Sequence, residues 1–190
     1  EIEQARQWLE NAARRNDKNA IYMLNVIEQY SRKTSKNQAE TLDTLRRRAE
    51  QGNADSQFML GEALLAGTGM KKNPEEAVRW FEKAAKNGNT DAFFVIGSRY
   101  LYGSGVEKDY KEALKWYKRS VEEGKKDDKT IYFMIGSMYY NGLGTLKDTS
   151  EAAKWYEKAA EKGDAFSQAM LAMQYYSGQG ILTNMEKARY

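Results

Sequence analysis

The chemistry open to this chain rests on carboxylates, hydroxyls and aromatic rings. It has 27 Asp and Glu but neither histidine nor cysteine, so imidazole and thiolate are unavailable as base, nucleophile or metal ligand. A disulfide framework is equally impossible. The acidic residues fall at helix caps and on outer faces, with no pair in an inferable pocket, so neither catalysis nor a bound cofactor or metal is expected. Gly103-Ser104-Gly105 has the look of a phosphate loop, but no Gly-Lys-Ser/Thr follows it. Arg14-Arg15 and Arg46-Arg47-Arg48 could form a patch for an acidic partner, although a charge run late in a helix is more often solvated. Rings are the remaining resource. Phe58, Phe94 and Phe133 recur in one row and Tyr140 and Tyr176 in another. Such rows either serve as a platform for a partner segment or pack on the adjacent helix.

The elements that position these rings repeat. Trp80, Trp116 and Trp155 are separated by 36 and 39 residues, and Trp8 lies 72 before Trp80. Gly52, Gly88, Gly124 and Gly163 step by 36, 36 and 39. The pairs Gly67/Gly69, Gly103/Gly105, Gly142/Gly144 and Gly178/Gly180 step by 36, 39 and 36. A fixed period in this range marks a solenoid of stacked units, in which each unit buries its apolar side against its neighbours.

Residues 91–124 show one unit. The spacing of Ala92, Ile96 and Tyr100 predicts a helix over Asp91 to Tyr102, ended by a left-handed Gly103, with Gly105 freeing the turn that follows. Asp109 with Glu112 reads as a capping box opening a second helix, which presents Ala113, Trp116, Tyr117 and Ser120 and stops at Gly124. Asn37 with Glu40, Asn73 with Glu76, and Asp148 with Glu151 repeat the cap, and Pro74, the single proline, takes the first helical position. Gly61, Gly97 and Gly136 sit in mid-helix, each about 1 kcal/mol less favourable than Ala, which implies close helix contact as compensation; Ala172 takes that place in the last unit. The tryptophans, beside Ala77, Ala113 and Ala152, are expected in the core. The three extra residues of the longer step lie around 125–128 and lengthen a surface loop.

The string from Leu60-Gly61 through Gly67-x-Gly69, Glu76-Ala77, Trp80 and Lys83-Ala84-Ala85 to Gly88 resembles the Sel-one-like repeat (SLR), a relative of the tetratricopeptide repeat. The resemblance is strong over 37–190 and weak over 1–36. It implies an all-α fold, an α/α superhelical solenoid of about five helix pairs acting as an adaptor, most often in bacteria and often in secreted or envelope proteins. One solenoid domain over 1–190 is expected: a degenerate repeat 1–36, repeats 37–72, 73–108, 109–147 and 148–183, and the truncated start of another at 184–190.

In the related superhelix, the first-helix face at offsets of minus three, plus one and plus four from the mid-helix glycine lines the concave groove. Carried onto this chain, that face supplies the candidate partner-binding residues Tyr22, Phe58, Phe94, Ser98, Phe133, Ser137, Tyr140, Met173 and Tyr176. The function expected is a scaffold that binds a protein or peptide there. A narrower version is a bacterial immunity-type neutraliser of a secreted toxin, and the competing class is a module of a larger enzyme.

Bulk properties agree with a protein partner. With 30 basic and 27 acidic residues the net charge is +3, too balanced for nucleic acid to be the default partner. No apolar run approaches the roughly 18 residues of a membrane helix. The chain begins at Glu1, so a removed signal peptide would leave no trace. Asn184 and Ala188 repeat Asp148 and Ala152 after 36 residues, and the next Trp would follow Tyr190. The expectation is a chain that continues, with Ile181, Leu182 and Met185 partly exposed and open to self-association.

Overall fold

The computed structural model describes Glu10, Arg14 and residues 41–124 and 127–189. Tyr22 and the cap of Asn37 with Glu40 lie outside the described residues. The chain divides into two compact units, 1–47 and 48–190. Residues 41–50 are helical. Within the second unit, seven α-helices follow one another: α1 (Ala54–Ala66), α2 (Pro74–Lys86), α3 (Asp91–Tyr102), α4 (Tyr110–Glu122), α5 (Lys129–Asn141), α6 (Thr149–Glu161) and α7 (Ala165–Ser177). A short 3-10 turn, Lys187–Arg189, follows α7, and no strand occurs among the described residues. The unit is an all-helical solenoid of helix pairs.

Local sequence sets each end. Gly67, Gly103, Gly142 and Gly178 close the first helices in the left-handed region at φ 76°, 69°, 69° and 70°. Asn73, Asp109 and Asp148 accept the Glu76, Glu112 and Glu151 amides at the starts of α2, α4 and α6. The reciprocal half of the capping box does not form. The amide of each cap residue already donates to the preceding helix, Asn73 to Leu64 O, Asp109 to Tyr100 O and Asp148 to Tyr139 O. Two of the glutamates thereby released accept an indole instead: Trp80 Nε1 donates to Glu76 at 3.4 Å and Trp155 Nε1 to Glu151 at 3.1 Å.

Each pair closes on a ring set against a glycine, but the ring is not the tryptophan. Phe81, Tyr117 and Tyr156, one residue after each Trp, are the fully buried side chains. A Cβ on Gly61, Gly97 or Gly136 would meet these rings at 2.7, 2.9 and 2.8 Å, which is why the mid-helix position is glycine. Trp116 and Trp155 are only half-buried and Trp80 lies at the core margin. Their outer faces carry Arg119, Lys158 and Lys83 at 4.6, 4.3 and 4.0 Å from the ring centre. An indole needs an outlet for its N–H, so the edge of the core suits it better than the centre.

The second glycine of each Gly-x-Gly pair has a role beyond the turn. Gly105, at φ 83°, lies against the start of the preceding second helix, where a Cβ would sit 2.5 Å from the Pro74 carbonyl carbon. Gly144 meets the Lys111 amide and Gly180 the Ser150 amide in the same way, at 2.7 and 2.6 Å. These glycines let one repeat approach the next. The longer loop is tied down on the same principle of neighbour contact: Asp127 accepts from Tyr132 Oη at 2.9 Å and pairs with Lys162 at the end of α6. Gly124 is not in the left-handed region, unlike Gly52, Gly88 and Gly163, and Glu123, the residue that ends α4, is right-handed.

Candidate functional site

Six of the nine expected site residues are half-buried or exposed on the first helices, Ser98 and Ser137 are there but engaged inward, and Tyr22 lies outside the described residues, so the expected face draws on α1, α3, α5 and α7. Phe58, Phe94 and Phe133 are each half-buried, with one side against the core ring of their own repeat. Their centroids lie 5.3 Å from Phe81, 5.6 Å from Tyr117 and 5.9 Å from Tyr156. One side of each ring therefore packs on the adjacent helix, and the remainder stays accessible.

Ser98 and Ser137 are spent on holding that floor. Ser98 Oγ donates to Phe94 O at 3.1 Å and exchanges a hydrogen bond with Tyr117 Oη at 3.1 Å. Tyr156 Oη donates to Ser137 Oγ at 3.3 Å. Burial pushes both phenols above their ordinary range, partly offset by these serine contacts. The two tyrosines stay neutral at physiological pH and act as rigid supports.

Towards the end of the unit the face opens. Tyr140 lies 6.4 Å from Tyr156, carries Lys147 at 5.2 Å over its ring, and donates from Oη to Gln179 at 3.4 Å. Met173 and Tyr176 are 46% and 67% exposed on α7. Phe166, 74% exposed, adds a ring 6.1 Å from Phe133. The repeat register does not point to it, because Phe166 stands one turn before Ala169, the residue that follows Phe133 by 36.

Phe58 and Phe94 are brought together in a cleft of about 260 Å³ between three consecutive first helices. Val95 and Ile131 complete its apolar lining, and Asp91, Asp128 and Thr130 stand on it from the starts of α3 and α5. These five residues were not singled out from the sequence. Their only signal was the cap register, in which Asp128 at the start of α5 matches Asp164 at the start of α7. A larger depression of about 520 Å³, between α2 and the loop after α3, is lined by Glu75, Glu82, Glu107 and Arg79 and holds none of the expected residues. Among the described residues no group of three or more carboxylates is placed to hold a metal ion, and no helix is long and apolar enough to cross a membrane.

The Sel1 repeat pattern matches residues 1–17, 54–89, 94–125, 132–164 and 165–190. None of the curated proteins matches the chain. Among solved structures, it is similar to a protective antigen of uropathogenic Escherichia coli strains that displays an SLR fold, with 35% identity and a TM-score of 0.69 over 78% of this chain and 31% of that one. A Sel1 repeat protein from Oxalobacter formigenes is similar at 40% identity and a TM-score of 0.65, over 77% of this chain and 57% of that one. The chain thus spans less than two thirds of the length of either. With the repeat pattern recurring over most of its length, and glycines, caps and core rings placed as that pattern requires, the chain belongs to the Sel1 repeat family, whose members generally act as protein–protein interaction scaffolds.

Proposed function

We propose that the face formed by α1, α3, α5 and α7 is the concave groove of the solenoid and clamps a segment of a partner protein. One observation carries this reading. Phe58, Phe94 and Phe133 recur in register, each propped by a core ring of its own repeat, and each remains part-exposed. Rings held in this way lose little freedom on binding and bring large apolar area, which is what hot-spot residues provide. Tyr140, Met173 and Tyr176 extend the platform along the stack.

The test compares capture of partners from native extract by the wild-type chain and by the double variant Phe94→Ala with Tyr140→Ala. Truncated anchors cost about 2 kcal/mol or more in a hot spot, so a partner held by the wild type is lost from the variant. Circular dichroism checks that the variant keeps its helix content. Equal capture by a folded variant contradicts the assignment of the face.

A further inference from the structure

We infer that Arg99, near the end of α3, takes a carboxylate side chain of the bound partner segment, an inference that rests on the groove reading above and gives it a chemical specificity. Arg99 follows Val95 by one turn and precedes Tyr102 by another, so one strip of α3 runs from the apolar cleft to an exposed phenol. Along this strip donors outnumber acceptors. Among the described residues the guanidinium makes a single hydrogen bond, from Nη1 to Ser104 Oγ at 3.4 Å, out of the five N–H groups that arginine carries. Its Nε is buried without an acceptor, and no carboxylate pairs with it among the described residues. Arg99 and Tyr102 both act electrostatically on the hydroxyl of Tyr117, which bonds Ser98 on the groove floor at 3.1 Å. The unpaired cation therefore stands beside the groove, with the Tyr102 hydroxyl as a further donor.

The same register in the other repeats holds no charge. Ala63, Met138 and Gln174 stand there, and Met138 and Gln174 are buried. Gln174 has acceptors for its amide, donating from Nε2 to Thr149 O at 2.8 Å and to Gln179 O at 3.1 Å. Arg99 has none of this kind, and a partly desolvated cation without an acceptor is costly. The missing acceptor must be anionic and planar to match the fork, which a carboxylate is. Arg119 shows the arrangement in this chain, holding Glu123 through two parallel bonds of 2.6 and 3.0 Å. A neutral amide would offer one oxygen and no counter-charge.

The probes are blocked pentapeptides, acetyl-Gly-Leu-X-Ala-Gly-amide, with X glutamate or glutamine and the leucine offered to the apolar cleft. A third probe is the glutamine peptide with a free terminal carboxylate. Each is titrated into the full chain and followed by NMR of the amides and of the Arg99 Nε–H. The glutamate peptide is expected to shift the Arg99 Nε–H and to bind at least fivefold more tightly than either glutamine peptide. Arg99→Met should bring the glutamate peptide down to the glutamine level. Methionine and glutamine occupy this register at Met138 and Gln174, so Arg99→Met and Arg99→Gln both keep the fold, and far-UV circular dichroism checks it. Lys158→Met, which removes a cation from the second-helix side, should leave binding unchanged. Equal binding of the glutamate and glutamine peptides, an unmoved Arg99 Nε–H, undiminished binding by both Arg99 variants, or an equal loss in Lys158→Met overturns the inference. A free-carboxylate peptide that matches the glutamate peptide overturns the side-chain assignment in favour of a chain terminus. If the native partner is lost from the Phe94/Tyr140 variant but retained by Arg99→Met, the groove reading stands and the carboxylate assignment alone fails.

Discussion

Gly105 and Gly88 share a backbone conformation and differ in what surrounds them, so alanine at each separates strain from packing. Gly88 lies at φ 97° with nothing within 4 Å of an added Cβ. Gly88→Ala therefore costs only the left-handed strain of an L residue, about 1–2 kcal/mol. Gly105, at φ 83°, bears the same strain, but its Cβ would lie 2.5 Å from the Pro74 carbonyl carbon and 3.1 Å from the Glu75 amide nitrogen. Ordinary contact begins near 3.4 Å, so the two repeats must part by about 1 Å, and both obstructing atoms are backbone. Overpacking of this kind adds about 1–3 kcal/mol, giving about 2–5 kcal/mol in total for Gly105→Ala. Gly97→Ala is the internal comparison. Its φ is helical, alanine recovers about 1 kcal/mol of propensity, and the clash is with the Tyr117 ring at 2.9 Å. It should cost less than Gly105→Ala. Sequence alone assigns Gly105 a role in the turn; the Pro74 backbone against it adds a packing role. Urea unfolding followed by far-UV circular dichroism, fitted with intrinsic and nearest-neighbour terms, reads the three values. Equal losses for Gly88→Ala and Gly105→Ala would show that the inter-repeat contact carries no stability and would refute the reasoning.

Ser120 is fully buried with no partner for its hydroxyl, at the position occupied by Ala84 and Ala159 in the adjoining repeats. Ser120→Ala is expected to stabilise by about 1 kcal/mol, and a lower urea midpoint would contradict this. Asp109→Ala removes the acceptor of the Lys111 and Glu112 amides and should cost about 0.5–2 kcal/mol, whereas Asp109→Asn should be close to neutral; equal losses for both would discount the cap. Tyr117 and Tyr156 ionise above 10.0 in the folded chain, raised first by burial. Unfolded phenols ionise near 10, so the stability linked to these groups is complete below about pH 10 and declines as pH rises towards their folded values. Urea midpoints taken across that range should fall, with a smaller fall in Tyr117→Phe; an identical profile in that variant would remove the buried phenol as the cause.

The family and the helix-pair design were legible because they are written in local signals. A cap residue, the glutamate three positions on and a left-handed glycine act within a turn or two, and their 36- and 39-residue recurrence needs no tertiary knowledge. Helix α3 begins at Asp91 and ends at Tyr102, as its apolar spacing predicts. The mid-helix glycines also announced a close approach, because a penalty repeated at one register needs a compensating contact.

What approached them was settled only in three dimensions. Trp and the residue after it lie about 100° apart on a helix, and only the docking of two helices decides which ring meets Gly61, Gly97 or Gly136. The choice fell on Phe81, Tyr117 and Tyr156, because a ring can fill the notch without an N–H to satisfy there, while the indoles of Trp80 and Trp155 reach the glutamates released from the caps. The second glycine of each pair reads locally as a turn; the Pro74 backbone that forbids a side chain at Gly105 is some thirty residues away and belongs to another repeat. The cleft likewise joins Phe58, Phe94 and Asp128 from three repeats. Sequence fixes what each repeat is because its interactions are short-range; the stacking of one repeat on another decides which surfaces remain open for a partner.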